Sequence, residues 1–232
     1  MLKILPELPK NTTPREILRG MLIAAISLFL NGLGVYLTIH ASIGVGPWDV
    51  LNIGVSKTLG ILYGNASINV AFIILFIDVL LREPIGIAMI IDAIVVGKSV
   101  DFFNWIDVVP VPHTLAGSIV MMIIGLFIMG YTQYGYMWAS LGCGPRDTLL
   151  VGLKRHAGRF PIGGVSIILL CAVTLIGYLL GGPVGIGTLI CAFCAGPIMQ
   201  FAFSTVGFVA TDVKHQNILE TVRIFCGRKT EH

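Results

Sequence analysis

The chain consists mainly of long apolar runs separated by short polar segments. Six runs are long enough to cross a hydrocarbon core of roughly 30 Å as helices. They cover residues 21–39, 63–81, 85–105, 113–137, 162–180 and 184–209. The third is the least apolar, because Asp92, Lys98 and Asp101 lie within it. The pattern predicts an all-α polytopic membrane protein with six transmembrane helices.

Two further stretches, residues 43–62 and 141–161, are too short or too polar to be ordinary spans. Each contains a proline, Pro47 or Pro145, at the position favoured for the first residue of a helix. A helix over residues 47–59 would be about 20 Å long, short of a ~30 Å hydrocarbon core. We therefore predict two short re-entrant helices, and eight full spans remain the alternative.

An internal repeat relates the two halves of the chain. A shift of 98 residues aligns residues 26–60 with 124–158, with 14 of 35 positions identical, where chance would give about three. Each repeat of about 100 residues then holds one span, one motif helix and two more spans. The halves are inverted if the motif helices do not cross the membrane and parallel if they do. The predicted six spans, three in each repeat, therefore favour inverted halves.

Composition and charge support this class and exclude others. The chain is 56% hydrophobic and only 12% charged, against roughly 25% charged in soluble domains. A net charge of +3 is too small to indicate nucleic-acid binding. With six spans, 13 of the 15 Lys and Arg residues lie on one side, which the positive-inside rule makes cytoplasmic. Eight spans satisfy the rule nearly as well.

The resulting domain plan places both chain ends in the cytoplasm. It comprises a cytoplasmic N-terminal segment (1–20), a first membrane repeat (21–110), a second membrane repeat (111–209) and a cytoplasmic amphipathic tail (210–232).

The repeated motif, Gly-x-Gly-Pro-x-Asp, carries the candidate chemistry. The aspartate could simply cap its own helix, because a carboxylate stabilises the free N–H groups of a first turn. Short segments interrupted by glycine and proline, at matching places in two halves, also indicate a transporter's midplane site. The predicted binding residues are Gly44, Gly46, Trp48, Asp49, Gly142, Gly144, Arg146 and Asp147.

Three other polar residues lie within predicted spans: Asn31, Asp92 and Gln133. Asp92 matches Cys191 in the second repeat, so the duplication does not require an acid there, and an acid at such depth is a functional hypothesis. Arg146 could pair with the motif aspartates or bind an anion. No metal, cofactor or catalytic motif is recognisable, so we expect neither an enzyme nor a cofactor.

The paired motifs, together with the Gly-Gly-Pro-Val-Gly-Ile-Gly-Thr run at 181–188, resemble the YczE/YyaS/YitT family of bacterial integral membrane proteins. The similarity covers roughly residues 20–208 and is nearest to the YczE branch. The resemblance implies a bacterial cytoplasmic membrane but supplies no biochemical activity. It associates some members with control of secondary-metabolite production.

These patterns favour a transporter or channel for a small solute or ion, with its site between the two motif helices. The alternative is a membrane-embedded regulator or scaffold that moves nothing. The expected partners are the lipid bilayer and an unknown solute or ion, with no nucleic acid. Whether the chain forms a homo-oligomer stays open.

Overall fold

The computed structural model describes residues 13–107, 109–209, 213 and 216–225. These residues form helices without any strand, which confirms the all-α class. Residues 1–12 and most of the predicted tail, including Cys226, lie outside the described residues. The helices are α1 (Pro14–His40), α2 (Pro47–Leu59), α3 (Tyr63–Leu80), α4 (Ile87–Ile106), α5 (Leu115–Trp138), α6 (Pro145–His156), α7 (Ile162–Leu179), α8 (Ile186–Val206) and α9 (Ile218–Phe225).

Five of these helices (α1, α3, α5, α7 and α8) are long and apolar enough to cross a membrane. Helix α4 is not among them, although its 20 residues would reach about 30 Å. Two of its charged residues contact the start of α3: Lys98 Nζ donates to Asn65 Oδ1 (2.7 Å), and Asp101 Oδ1 accepts from Gly64 N (2.8 Å). The chain is therefore a membrane protein with several apolar helices, and a sixth span through α4 stays a prediction.

Helix α1 begins at Pro14 rather than at residue 21, where the apolar run starts. A capping box fixes this start: Glu16 N donates to Thr13 Oγ1 (3.3 Å), and Thr13 N donates to Glu16 Oε2 (3.2 Å). The described part of the predicted N-terminal segment is thus the first turns of α1, because capping extends the helix beyond its apolar part.

Helices α1 and α5 form the centre of the bundle and run antiparallel. Ser27, at the middle of α1, lies against Gly135 near the end of α5, and Leu37, near the end of α1, lies against Gly125 in the first half of α5. Between these contacts, Asn31 Nδ2 donates to Thr132 Oγ1 (3.0 Å). Helix α4 packs along α1, and α8 packs along α5.

Each motif helix packs against the third helix of the opposite half. Gly54 of α2 lies against Gly177 of α7, and Gly152 of α6 lies against Glu83 just after the end of α3. An ion pair of 3.0 Å between Arg155 and the buried Glu83 carboxylate strengthens the second contact. The two halves therefore interlock around the motif helices.

Helix α9 lies against the loops that precede α4 and α6. Gln216 N donates to Ser140 O (2.9 Å), and the Ile224 side chain is buried in the same cluster as the start of α1. Leu219 and Val222 are exposed. The described tail is thus helical from Ile218 to Phe225, and its contact with lipid stays a prediction.

Candidate functional site

The loop before each motif helix is anchored to the last helix of the other half. Gly187 N, at the start of α8, donates to Ile43 O (2.8 Å). Ala88 N, at the start of α4, donates to Leu141 O (3.1 Å). Both loops thus take equivalent positions, and they direct the first turns of α2 and α6 into the bundle.

Gly44 and Gly142 serve this anchoring. Their φ angles are +102° and +128°, a backbone region that favours glycine. A Cβ at Gly44 would lie 2.6 Å from Gly185 N, and one at Gly142 would lie 2.8 Å from Gly86 Cα. The backbones approach too closely for any side chain, so these glycines position the motif helices and do not line the cavity described next.

A cavity of about 510 Å³ lies between the motif helices, walled by residues of α1 to α6 and α8. Eight of the eleven residues predicted for the site line it, and Gly44, Gly46 and Gly142 do not. Those that line it are Asn31, Trp48, Asp49, Asp92, Gln133, Gly144, Arg146 and Asp147. The folding of the chain thus brings both motifs and the isolated acid Asp92 to one place.

Trp48 and Arg146 hold the same position in the two motifs and contact each other across the cavity. The guanidinium carbon of Arg146 lies 5.3 Å from the centre of the Trp48 ring, within the range of a cation–π interaction. Among the described residues, no carboxylate lies within 4.0 Å of the guanidinium. The direct ion pair that the motif suggested with Asp49 or Asp147 is therefore not formed.

Asp49 is held by a hydrogen bond from outside its own helix. Tyr63 OH donates to Asp49 Oδ1 (2.7 Å), and Asn52 Nδ2 donates to the Tyr63 oxygen (3.3 Å). The Asp49 side chain is buried. Neither Asp49 nor Asp147 caps its helix through a side-chain hydrogen bond to the backbone. Hydrogen-bonded capping therefore does not explain the two aspartates.

Gly144 leaves room for a cluster of polar groups. A Cβ there would lie 3.3 Å from Asp92 Oδ2, 3.6 Å from Asp147 Oδ2 and 4.0 Å from Tyr136 OH. Asp147 lies deep in the bundle, yet its side chain is exposed to the cavity. Tyr136 is 1% exposed, and its hydroxyl has no hydrogen-bond partner in the part of the chain that is described.

Two wall residues, Tyr63 and Tyr136, were not predicted from the sequence. Under the 98-residue shift, Tyr136 corresponds to Thr38, whose hydroxyl donates to Val35 O (2.8 Å) within α1. Asp92 was singled out for the same reason, because its counterpart in the other repeat, Cys191, is a different type of residue. A search for polar residues that differ between the two halves would therefore have found Tyr136.

Comparisons with known proteins show the family of the chain. Residues 18–204 match the model of a family of unknown function, DUF6198. The chain belongs to this family. It is 31% identical over 180 residues to the uncharacterized membrane protein YczE of Bacillus subtilis, covering 75% of this chain and 81% of that protein.

Two further relatives have similar coverage. An uncharacterized protein of Haemophilus influenzae is 27% identical over 187 residues, covering 81% of this chain and 84% of the relative. The uncharacterized protein YyaS of Bacillus subtilis is 26% identical over 186 residues, covering 78% and 90%. No solved structure matches the chain. The family resemblance drawn from the motifs is thereby confirmed.

Proposed function

We propose that the protein is a transporter or channel for a small solute or ion, with the cavity between the motif helices as its binding site. The observation that carries this proposal is the cavity itself, which both motifs and Asp92 line. A scaffold that acts through its outer helix faces has no need of a polar cavity, whereas four charged side chains at this depth are costly without a function. The proposal assigns no chemical conversion to the cavity.

The proposal includes two inverted repeats of three spans each. Antiparallel packing of α1 and α5 supports it. Two crossings lie between these helices in the six-span arrangement, which makes them antiparallel, and three in the eight-span arrangement, which makes them parallel. The charge bias supports cytoplasmic ends in a bacterial cytoplasmic membrane. The two motif helices then enter from opposite faces, the arrangement in which alternating access operates around a fixed midplane site.

Flux measurements on the purified protein in proteoliposomes test this function. A panel of small cations, anions, neutral solutes and protons would be compared with empty vesicles. We expect flux of at least one solute to exceed the empty-vesicle rate, and Asp92→Asn or Asp147→Asn to lower it about tenfold or more, because each removes a charge from the wall.

Asp107→Asn is the matched control. Asp107 is 74% exposed and lies outside the cavity, and asparagine readily adopts its left-handed conformation. Flux should be unchanged in this variant. Wild-type flux no greater than that of empty vesicles across the panel would contradict transport and favour a membrane-embedded regulator or scaffold.

A further inference from the structure

The balance of charge around the cavity points to the class of its ligand. We propose that the cavity binds a small organic cation with one positive charge, of the ammonium class, an inference that takes its site from the proposed function. The cavity wall contains three carboxylates and one guanidinium among the described residues: Asp49, Asp92, Asp147 and Arg146.

The helix ends do not remove this excess of negative charge. The N-termini of α2 and α6 both reach the cavity, through Trp48 and Asp49 in one case and Pro145 to Asp147 in the other. Each contributes roughly half a positive charge. With Arg146, they leave roughly one negative charge without compensation when the three carboxylates are ionised. An anion would meet net repulsion there, whereas one positive charge would restore neutrality.

The wall also has an unused hydrogen-bonding group. Tyr136 lines the cavity, and its buried hydroxyl lacks a partner among the described residues. Buried hydroxyl groups are normally hydrogen-bonded, so one without a partner indicates a missing ligand group or water. Its oxygen lies on the same side as Asp92 and Asp147, beside Gly144. The hydroxyl can therefore accept a hydrogen bond from an N–H group already held by those carboxylates.

The spread of the carboxylates favours an organic cation over a bare metal ion. Within the described part of the chain, no three His, Cys, Asp or Glu side chains converge closely enough to hold a metal ion. The volume of about 510 Å³ lies in the range of sites for small organic ligands. The aromatic residues Tyr63, Tyr136 and Phe203 also line the cavity, and aromatic side chains can attract ammonium groups.

Binding to the full chain in lipid nanodiscs tests this inference. The probes are choline, methylammonium, potassium and acetate, titrated calorimetrically at constant ionic strength. We expect saturable binding of choline or methylammonium, and no saturable binding of potassium or acetate. Asp92→Asn and Asp147→Asn should each weaken ammonium binding about tenfold or more, because each removes a charge-assisted contact. Asp107→Asn should stay within about twofold of wild type.

The Arg146→Gln variant distinguishes a cation site from an anion site by the direction in which the binding affinity changes. The positive charge of Arg146 on the cavity wall repels a cationic ligand, so its removal should tighten ammonium binding. At an anion site the same change would abolish binding. Melting temperatures measured without ligand show whether each variant is folded. The preference of the wild type for ammonium ions over potassium and acetate can be tested even if a variant does not fold. Acetate binding that requires Arg146, or no ammonium binding by the wild type, would overturn the inference.

Flux data distinguish a failure of this inference from a failure of the proposed function. Acetate flux that requires Arg146 would leave transport standing and refute the cation site. Saturable choline binding without flux of any solute would support the cation site and refute transport.

Discussion

At the scale of single residues, the cavity wall combines charged side chains that the sequence predicted with tyrosine hydroxyl groups that it did not predict. Asp92 stands out because an acid within an apolar run is rare, and Asp147 stands out because it belongs to the repeated motif. Tyr63 and Tyr136 do not, because tyrosine is common wherever an apolar surface meets a polar group. Their places in the cavity wall follow from the packing of α3 and α5 around the motif helices, which no local pattern encodes.

Tyr63→Phe should destabilise the protein because it removes the hydroxyl that donates to Asp49 Oδ1 at 2.7 Å. A buried carboxylate that loses its donor costs about 1–3 kcal/mol in the free energy of unfolding. Thermal unfolding in detergent measures this change. The matched control is Tyr178→Phe, since Tyr178 is 60% exposed. Equal loss of stability in both variants would show that the Asp49 hydrogen bond contributes nothing.

At the scale of helices, the sequence predicted where the motif helices begin but not which helices pack closely together. Pro47 and Pro145 begin α2 and α6 as the motif predicts, because proline is favourable at the first helical position. The apolar run at 21–39 predicted a span but not where its helix begins, since the capping box at Thr13 lies outside that run. The contact between Gly54 and Gly177 joins residues far apart in sequence, so only the folded chain reveals it.

Gly177→Ala should weaken the packing of α7 on α2. The new Cβ would lie 2.5 Å from Leu51 N and 2.6 Å from Val50 C, both backbone atoms that cannot rotate away. Overpacking of this kind costs about 1–3 kcal/mol, measurable as a lower melting temperature. Gly163→Ala in the same helix meets nothing within 4 Å and should be neutral or slightly stabilising. Equal melting temperatures for the two variants would contradict the close helix contact.

At the scale of the whole molecule, the class of protein was predictable and the interlocking of its halves was not. Low charge and long apolar runs suffice to identify a membrane protein. The repeat alone left inverted and parallel halves open, because both satisfy the charge bias. The antiparallel contacts of Ser27 with Gly135 and Leu37 with Gly125 favour inversion, since parallel halves would align α1 and α5 in the same direction.

Inverted halves predict that the ends of the two motif helices lie on opposite sides of the membrane. Lys57, near the end of α2, and Lys154, near the end of α6, report these sides. In a cysteine-free background, Lys57→Cys should react with an impermeant maleimide on intact cells, and Lys154→Cys only after permeabilisation. Arg155 would be a poorer reporter, because its ion pair with Glu83 ties α6 to α3. Labelling of both cysteines from one side would mean that the motif helices cross the membrane, and the inverted architecture would then be wrong.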